Sequence, residues 1–261
     1  MKLKYIIIIP ARLKSSRLKS KPLLNICGKP MIIQTSERAR LSSAAYIYVA
    51  TDDVRIANIA RLNGFDTLIT NTKNLNGTER LSESVKILKL SDEKIIVNLQ
   101  VDEPFTNPLI LDKLAYSLYL NKYFEVVTCA SKITKTEDFF NPNIVKIVFN
   151  SLNHALYFSR SPIPWSKSLL IKNFKKNFYI KNNQINNIFK HIGIYSYKTN
   201  FLKKFTNLKY KRLEQIESLE QLRILENGHK IFIRLIDEDI KISIDTEKDL
   251  KNIISKVYNE L

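Results

Sequence analysis

The stretch from residue 5 to residue 30, YIIIIPARLKSSRLKSKPLLNICGKP, concentrates the residue types needed to hold a phosphate chain. Arg12, Lys14, Arg17, Lys19 and Lys21 are interleaved with Ser15, Ser16 and Ser20 directly after an apolar run. Arginine forks grip phosphate oxygens bidentately, while a lysine acts as a point charge. Ala11 and Leu13 flank Arg12, and Leu18 with Pro22-Leu23-Leu24 ties down the far end, so the cations sit on anchored backbone. On charge alone, a basic stretch in a basic chain is more often a solvated loop, and that alternative stays open at this point.

Two carboxylates form the second set. Asp102 and Asp245 each follow an apolar run, and a pair of carboxylates facing one crevice would hold Mg2+ together with substrate phosphates. Each also has a plainer reading. Asp102 precedes Glu-Pro and suits a turn, and Asp245 precedes Thr246 and Asp249 in the order of a helix cap. Likewise Gly77-Thr78-Glu79-Arg80 reads as a helix start, His191 as a satisfied residue on an apolar strand, and Glu220-Gln221 as a solvated helix face.

The elements that must position these residues follow from periodicity. Tyr5–Ile9 is a continuous β-branched run stopped by Pro10, which predicts a central strand buried on both faces. Helix over Met31–Arg40, strand over Tyr46–Ala50, helix from Asp53 to near Gly64 and strand over Phe65–Thr70 continue a β-α-β-α rhythm. Thr78 is expected to cap a helix reaching about Leu90, Lys94–Gln100 to form a strand, and Asn107-Pro108 to cap the next helix. The fold class is therefore α/β, with a doubly wound, mostly parallel Rossmann-like sheet. In such a sheet ligands bind beyond the carboxyl ends of the strands, where the basic loop and Asp102 would stand.

From Val126 the rhythm changes. VVTCAS, IVKIVF and ALYFS follow without a long helix, which predicts a smaller antiparallel layer within about residues 126–200 of a single domain spanning residues 1–261. Ser166–Gln184 reads as an irregular arm, His191–Tyr197 as a strand and Lys211–Asn227 as one helix. Ile231–Ile236 and Lys241–Ile244 read as strands, and Thr246 as the start of a terminal helix.

Composition narrows the class. The formal net charge is +17 over 261 residues, but the lysines are spread along the chain, with no basic recognition helix, zinc-finger spacing or RNP-like strand. An anionic substrate accounts for the charge, and specific nucleic-acid binding is not expected. Cys27 and Cys129 form no CxxC pair, which speaks for a reducing compartment and against a zinc site. The opening MKLKYIIII is shorter than a signal-peptide core and lacks a cleavage site, and no run reaches membrane-spanning length. A cytoplasmic protein is expected.

The chain resembles the cytidylyltransferases that make CMP-activated acidic sugars. Pro10-Ala11-Arg12, Arg17-Leu18, Lys21-Pro22-Leu23 and Gly28-Lys29-Pro30-Met31 match their opening motif, NLQVDEP matches N-x-Q-G-D-E-P, and IDTEKDL matches D-T-P-E-D-L. Asn141-Pro142-Asn143, Ala155–Arg160, Pro162–Trp165, His191–Tyr195 and Leu213–Arg223 match the branch that acts on 3-deoxy-manno-octulosonate (Kdo). The resemblance implies transfer of CMP from CTP to Kdo for lipopolysaccharide synthesis, with Mg2+ as cofactor, in a homodimer of the nucleotide-diphospho-sugar transferase type. A neighbouring activity on amino-Kdo or a nonulosonic acid is the alternative within the family.

The resemblance also assigns residues. Arg12, Lys21 and Asp102 carry the catalysis, and Asp102 with Asp245 binds the metal. Ala11, Arg12, Ser16, Arg17, Lys21, Thr78, Arg80 and Gln100 bind the nucleotide, with Arg80 at the cytosine. Gln100, Arg160, His191, Tyr195, Glu220 and Gln221 bind the sugar. Two departures stand out: Lys19-Ser20 replaces a frequent Pro-Gly, and Val101 replaces a glycine. Glycine at such places serves a positive φ or a close approach. For Val101 a negative φ is expected, with its side chain turned from the triphosphate.

Overall fold

The computed structural model describes residues 3–14, 18–165, 187–237, 243–244, 246–247, 249–251, 253 and 255. The arm expected over Ser166–Gln184 and the first half of the strand expected over Lys241–Ile244 lie outside these residues, as do Ser16, Arg17 and Asp245. The chain divides into two compact units, one built from Met1–Lys122, Ile194–Thr206 and Ile240–Leu261, the other from Tyr123–Gly193 and Asn207–Asp239.

In chain order the first unit begins with β1 (Ile6–Ala11), a 3-10 turn (Lys21–Leu23), the short hairpin β2 (Asn25–Ile26) and β3 (Lys29–Pro30), and α1 (Met31–Arg40). It continues through β4 (Tyr46–Thr51), α2 (Val54–Leu62), β5 (Asp66–Ile69), α3 (Gly77–Ile87), β6 (Ile95–Asn98) and α4 (Pro108–Leu120). Every residue of β1 is buried, as its isoleucine run requires. Burying each such side chain contributes about 1.5–3 kcal/mol. The strand is accordingly central, parallel to β4 from Ile6↔Tyr46 to Ala11↔Thr51 and parallel to β6 from Ile6↔Ile96 to Ile8↔Asn98.

The strand order β6-β1-β4-β5 means that the chain winds outward from β1 through β4 and β5, then crosses back to the other side of β1. The carboxyl ends of β1 and β6 thus flank a topological switch point, where the two following loops diverge and leave a crevice. Helix α1 touches α2 and α4, whereas α3 packs on the helix Thr199–Phe205, giving two separate helical groups about the sheet. Asn107 caps α4 with Pro108 at its first turn, as expected. The cap of α3 is Asn76, whose side chain accepts from Glu79 N at 2.8 Å, so Thr78 lies inside the helix. A carboxamide two residues earlier caps the helix at Glu79 N, so the helix starts before the threonine.

The second unit contains β7 (Val126–Lys132), α5 (Thr136–Phe140), β8 (Lys146–Phe149) and β9 (Ala155–Ser159), with β10 (Phe189–Lys198) running through both units and β11 (Ile231–Leu235) following later. β8 is antiparallel to β9 and to the first residues of β10, as the change of rhythm predicts. β11 joins β7 in parallel, so this layer is mixed. The last residues of β10 run antiparallel to β6, from Tyr195↔Asn98 to Lys198↔Ile95. No helix among the described residues is long and apolar enough to cross a membrane.

The single helix expected over Lys211–Asn227 is two, Arg212–Glu217 and Gln221–Glu226. Ser218 takes a left-handed φ of 52°. The carbonyls of Glu217 and Ser218, which a continuous helix would use internally, instead accept from the Arg160 guanidinium at 2.8 and 3.4 Å. A tertiary partner has outcompeted local propensity.

Candidate active site

In the first unit the basic loop leaves β1 through Ala11, which is buried, into Arg12, which is exposed and donates from Nη1 to Leu75 O at 3.2 Å. Leu18 is buried and anchors the loop on its far side. Ser20 follows with φ 53° and ψ 34°, a left-handed conformation that a glycine would adopt without cost. The turn expected of the missing glycine is therefore made by serine. It delivers Lys21 to the first position of the 3-10 turn, where its Nζ reaches Asp102 Oδ2 at 2.6 Å.

Asp102 belongs to the turn after β6, closed by Glu103 N donating to Gln100 O at 3.1 Å. Thr35 Oγ1 donates to Val101 O at 2.7 Å and fixes the turn from the α1 side. Positive φ among the described non-glycine residues is confined to Ser20, Cys27, Lys89, Asn153 and Ser218. Val101 thus takes the negative φ expected of it and is buried. Ile244 N donates to Asp102 O at 3.0 Å, so the residue that precedes Asp245 in the chain is hydrogen-bonded to Asp102. Among the described residues no group of three or more His, Cys, Asp or Glu could hold a metal. A partly exposed carboxylate beside a lysine, with the Ile244 backbone bonded to its own carbonyl, fits Mg2+, which takes one or two carboxylates and completes its shell with phosphate and water.

On α3, Thr78 is buried with its Oγ1 3.5 Å from Tyr197 OH. Arg80 is also buried. Its Nη2 donates to Asp52 Oδ2 at 3.0 Å and its Nη1 to Thr70 Oγ1. The guanidinium is thus held from two strand ends, and Asp52, directly after β4, is the ion partner that fixes it. Tyr195, on the Ile194–Lys198 half of β10, is buried with its ring stacked on Tyr197 at 5.5 Å.

In the second unit Arg160 is the most constrained of the assigned residues. Its Nε donates to Glu217 O at 2.8 Å, its Nη1 to Pro142 O at 3.0 Å and its Nη2 to Ser218 O at 3.4 Å. Glu217 in turn accepts from Arg160 N at 2.9 Å and Ser159 Oγ at 2.6 Å. Lys146 is fully buried and donates from Nζ to the carbonyls of Asn141, Ile144 and Arg160 at 3.0, 2.8 and 2.5 Å. Burial holds its ammonium down to about 8.

His191 Nε2 lies 3.0 Å from Thr128 Oγ1, and the same hydroxyl donates to Ile192 O at 3.1 Å. Where the Thr128 hydrogen goes to the carbonyl, the hydroxyl oxygen accepts from His191 Nε2–H, so the roles in this pair follow the ring tautomer. Part of the residue reaches the surface, but desolvation of the ring dominates and pushes its pKa down to about 3. A ring so weakly basic is a poor general base at neutral pH but a stable neutral hydrogen-bonding group. Glu220 is half-buried and Gln221 buried at the start of the second short helix, and Gln221 Nε2 is a buried donor with no hydrogen-bond partner among the described residues. Such an atom is costly unless something else accepts from it.

A model of the cytidylyltransferase family matches residues 6–231. The chain belongs to that family. A 3-deoxy-manno-octulosonate cytidylyltransferase from Thermodesulfovibrio yellowstonii is 44% identical over 252 residues, covering 94% of this chain and 95% of the relative. A second from Actinobacillus pleuropneumoniae is 41% identical, covering 96% and 97%. A solved CMP:2-keto-3-deoxy-manno-octonic acid synthetase complexed with CTP superposes with a TM-score of 0.86 at 35% identity, covering 99% of this chain and all of that one.

Beyond the residues assigned from the family motifs, the structure adds Asp52, Lys146 and Glu217 as groups that hold site side chains in place. In this cytidylyltransferase Asp52 directly follows the end of β4, where the sequence alone reads as scaffold. Lys146 gives no signal either, since a lysine in a strand ordinarily reads as solvent-facing.

Proposed function

We propose that the chain transfers CMP from CTP to Kdo, forming CMP-Kdo and pyrophosphate, and so activates the sugar for lipopolysaccharide synthesis. The observation that carries the catalytic assignment is the 2.6 Å contact between Lys21 Nζ and Asp102 Oδ2, which joins the phosphate loop to the acidic turn at the switch point of the sheet. The names of near-full-length relatives supply the substrates.

The anomeric hydroxyl of Kdo attacks the α-phosphate of CTP in line, and pyrophosphate departs. Arg12, Arg17 and Lys21 hold the triphosphate, with Ala11 and Ser16 at the loop backbone and Thr78, Arg80 and Gln100 on the nucleoside. Fixed cations aimed at the phosphoryl oxygens stabilise charge without reorganising during the step. Asp102 and Asp245 would hold Mg2+, which when bound would neutralise that charge. Gln100, Arg160, His191, Tyr195, Glu220 and Gln221 bind the sugar. Arg160 presents a guanidinium already locked by three carbonyls to the sugar carboxylate, and Gln221 Nε2 donates to a sugar oxygen. The enzyme works as a cytoplasmic homodimer.

Pyrophosphate release measured with CTP and a panel of acidic sugars tests the reading. Kdo should give the highest kcat/KM. Preference for amino-Kdo or a nonulosonic acid would move the chain to that neighbouring activity, and no release with any of them would overturn the assignment.

A further inference from the structure

Gly77 is the first residue of α3 and takes no positive φ, so its backbone does not explain the absence of a side chain. Space does. A Cβ at this position would stand 3.3 Å from Gln100 Nε2, 3.6 Å from Gln100 Oε1 and 3.4 Å from Pro10 Cγ. Both heteroatoms of the Gln100 carboxamide therefore lie against the Gly77 backbone, between the end of β1 and the turn after β6. The contact at 3.3 Å is tighter than a Cβ normally accepts, and the group that would yield is the end of a flexible side chain.

The segment bearing Gly77 is held firmly. Asn76 Oδ1 accepts from Glu79 N at 2.8 Å, and Glu79 Oε2 accepts from Leu75 N at 2.9 Å, a reciprocal cap that fixes the entry to α3. The carbonyl of Leu75 in turn accepts from Arg12 Nη1 at 3.2 Å. One rigid turn thus touches two residues assigned to the substrates, Arg12 through a carbonyl and Gln100 through a missing methyl.

We infer that Gly77 is a positioning residue whose lack of a Cβ sets the Gln100 carboxamide in its working place. The inference rests on the assignment of Gln100 to the nucleotide and sugar. Adding a methyl costs folding little, because the end of the Gln100 side chain can yield and alanine is a better helix former than glycine. It costs function more: the carboxamide must give by a few tenths of an ångström, a fraction of the 1 Å misplacement that costs on the order of 100-fold.

The test is a double-mutant cycle on Gly77→Ala and Gln100→Ala, read by kcat and KM for both substrates and by thermal midpoint. Gly77→Ala should lower kcat/KM several-fold with the midpoint unchanged or raised, and should add nothing further once Gln100 is alanine. Unaltered kinetics in Gly77→Ala beside an impaired Gln100→Ala would overturn the inference while leaving the Gln100 assignment standing. Full additivity would also overturn it, by tracing the effect to Pro10. An unimpaired Gln100→Ala would overturn the assignment of Gln100 and, with it, the role given to Gly77.

Discussion

Lys21 Nζ and Asp102 Oδ2 are 2.6 Å apart, so an ion pair joins the basic loop after β1 to the acidic turn after β6. Lys21 is buried and Asp102 partly exposed, and the carboxamide oxygen of an asparagine at 102 can still accept from the ammonium. Asp102→Asn should therefore fold normally and shift the urea midpoint little. Turnover should fall by about 10² or more at saturating Mg2+, the size of effect seen on deleting one electrostatic stabiliser. Near-normal turnover would remove Asp102 from the chemistry.

Ser20 holds a left-handed backbone without the freedom of glycine. An L-residue there costs about 1–2 kcal/mol. Ser20→Gly should raise stability by about 1 kcal/mol by chemical denaturation, less some entropy regained by the unfolded chain, and leave turnover within twofold. A loss of stability would show that the serine side chain supports the turn.

His191 is held neutral in the fold, with its pKa lowered from 6.5 to about 3 by desolvation. Over that window the unfolded chain binds more protons, so the stability tied to this group is complete above the window and is lost as pH falls through it. In His191→Phe that loss should vanish, so the gap in urea midpoint between wild type and variant should narrow from pH 7 to pH 5. An unchanged gap would contradict a neutral buried ring. The same variant should weaken Kdo more than CTP, as steady-state KM values for each substrate would show.

Lys146 answers three carbonyls. Lys146→Met should lose about 1–3 kcal/mol by leaving buried acceptors unmatched and should weaken the sugar through Arg160, whose carbonyl is one of the three. The lysine pKa is lowered from 10.5 to about 8, so between those values the unfolded chain holds the proton more tightly. The wild type therefore gains stability from this group as pH rises through the window. The deficit of Lys146→Met should be larger at pH 9.5 than at pH 7, which paired urea titrations would measure.

The net charge of +17 should give only weak association with DNA or RNA. That binding should collapse with added salt and show no sequence preference, as contacts to phosphates alone do. Selective binding at physiological salt, by electrophoretic shift, would point to a further activity.

The run Ile6–Ile9 is legible as a central strand because a continuous β-branched segment has no face to give to water, and the meeting of Lys21 with Asp102 is anticipated by the rule for strand ends in open sheets. The Ser218 break is not legible. Its cause is the distant Arg160, which removes carbonyls that local propensity assigns to one helix. Lys146 escapes for a related reason: only the convergence of three carbonyls from separate positions makes its burial tolerable. Gly77 reads in sequence as a helix start, and its crowding by Gln100 exists only once β1, β6 and α3 are side by side.

The sharing of β10 between the two units also matters while the polypeptide is being made. β6 has β1 on one side and receives its other neighbour only from Tyr195–Lys198, which emerge from the ribosome after the whole of the second unit's first segment. Until then an apolar strand, Ile95-Ile96-Val97, presents an open row of backbone donors and acceptors, the arrangement most prone to pair with another chain. Nascent chains that stall or are cut shortly after Lys122 should aggregate through that edge, and release of Tyr195–Lys198 should mark the point at which the product becomes safe.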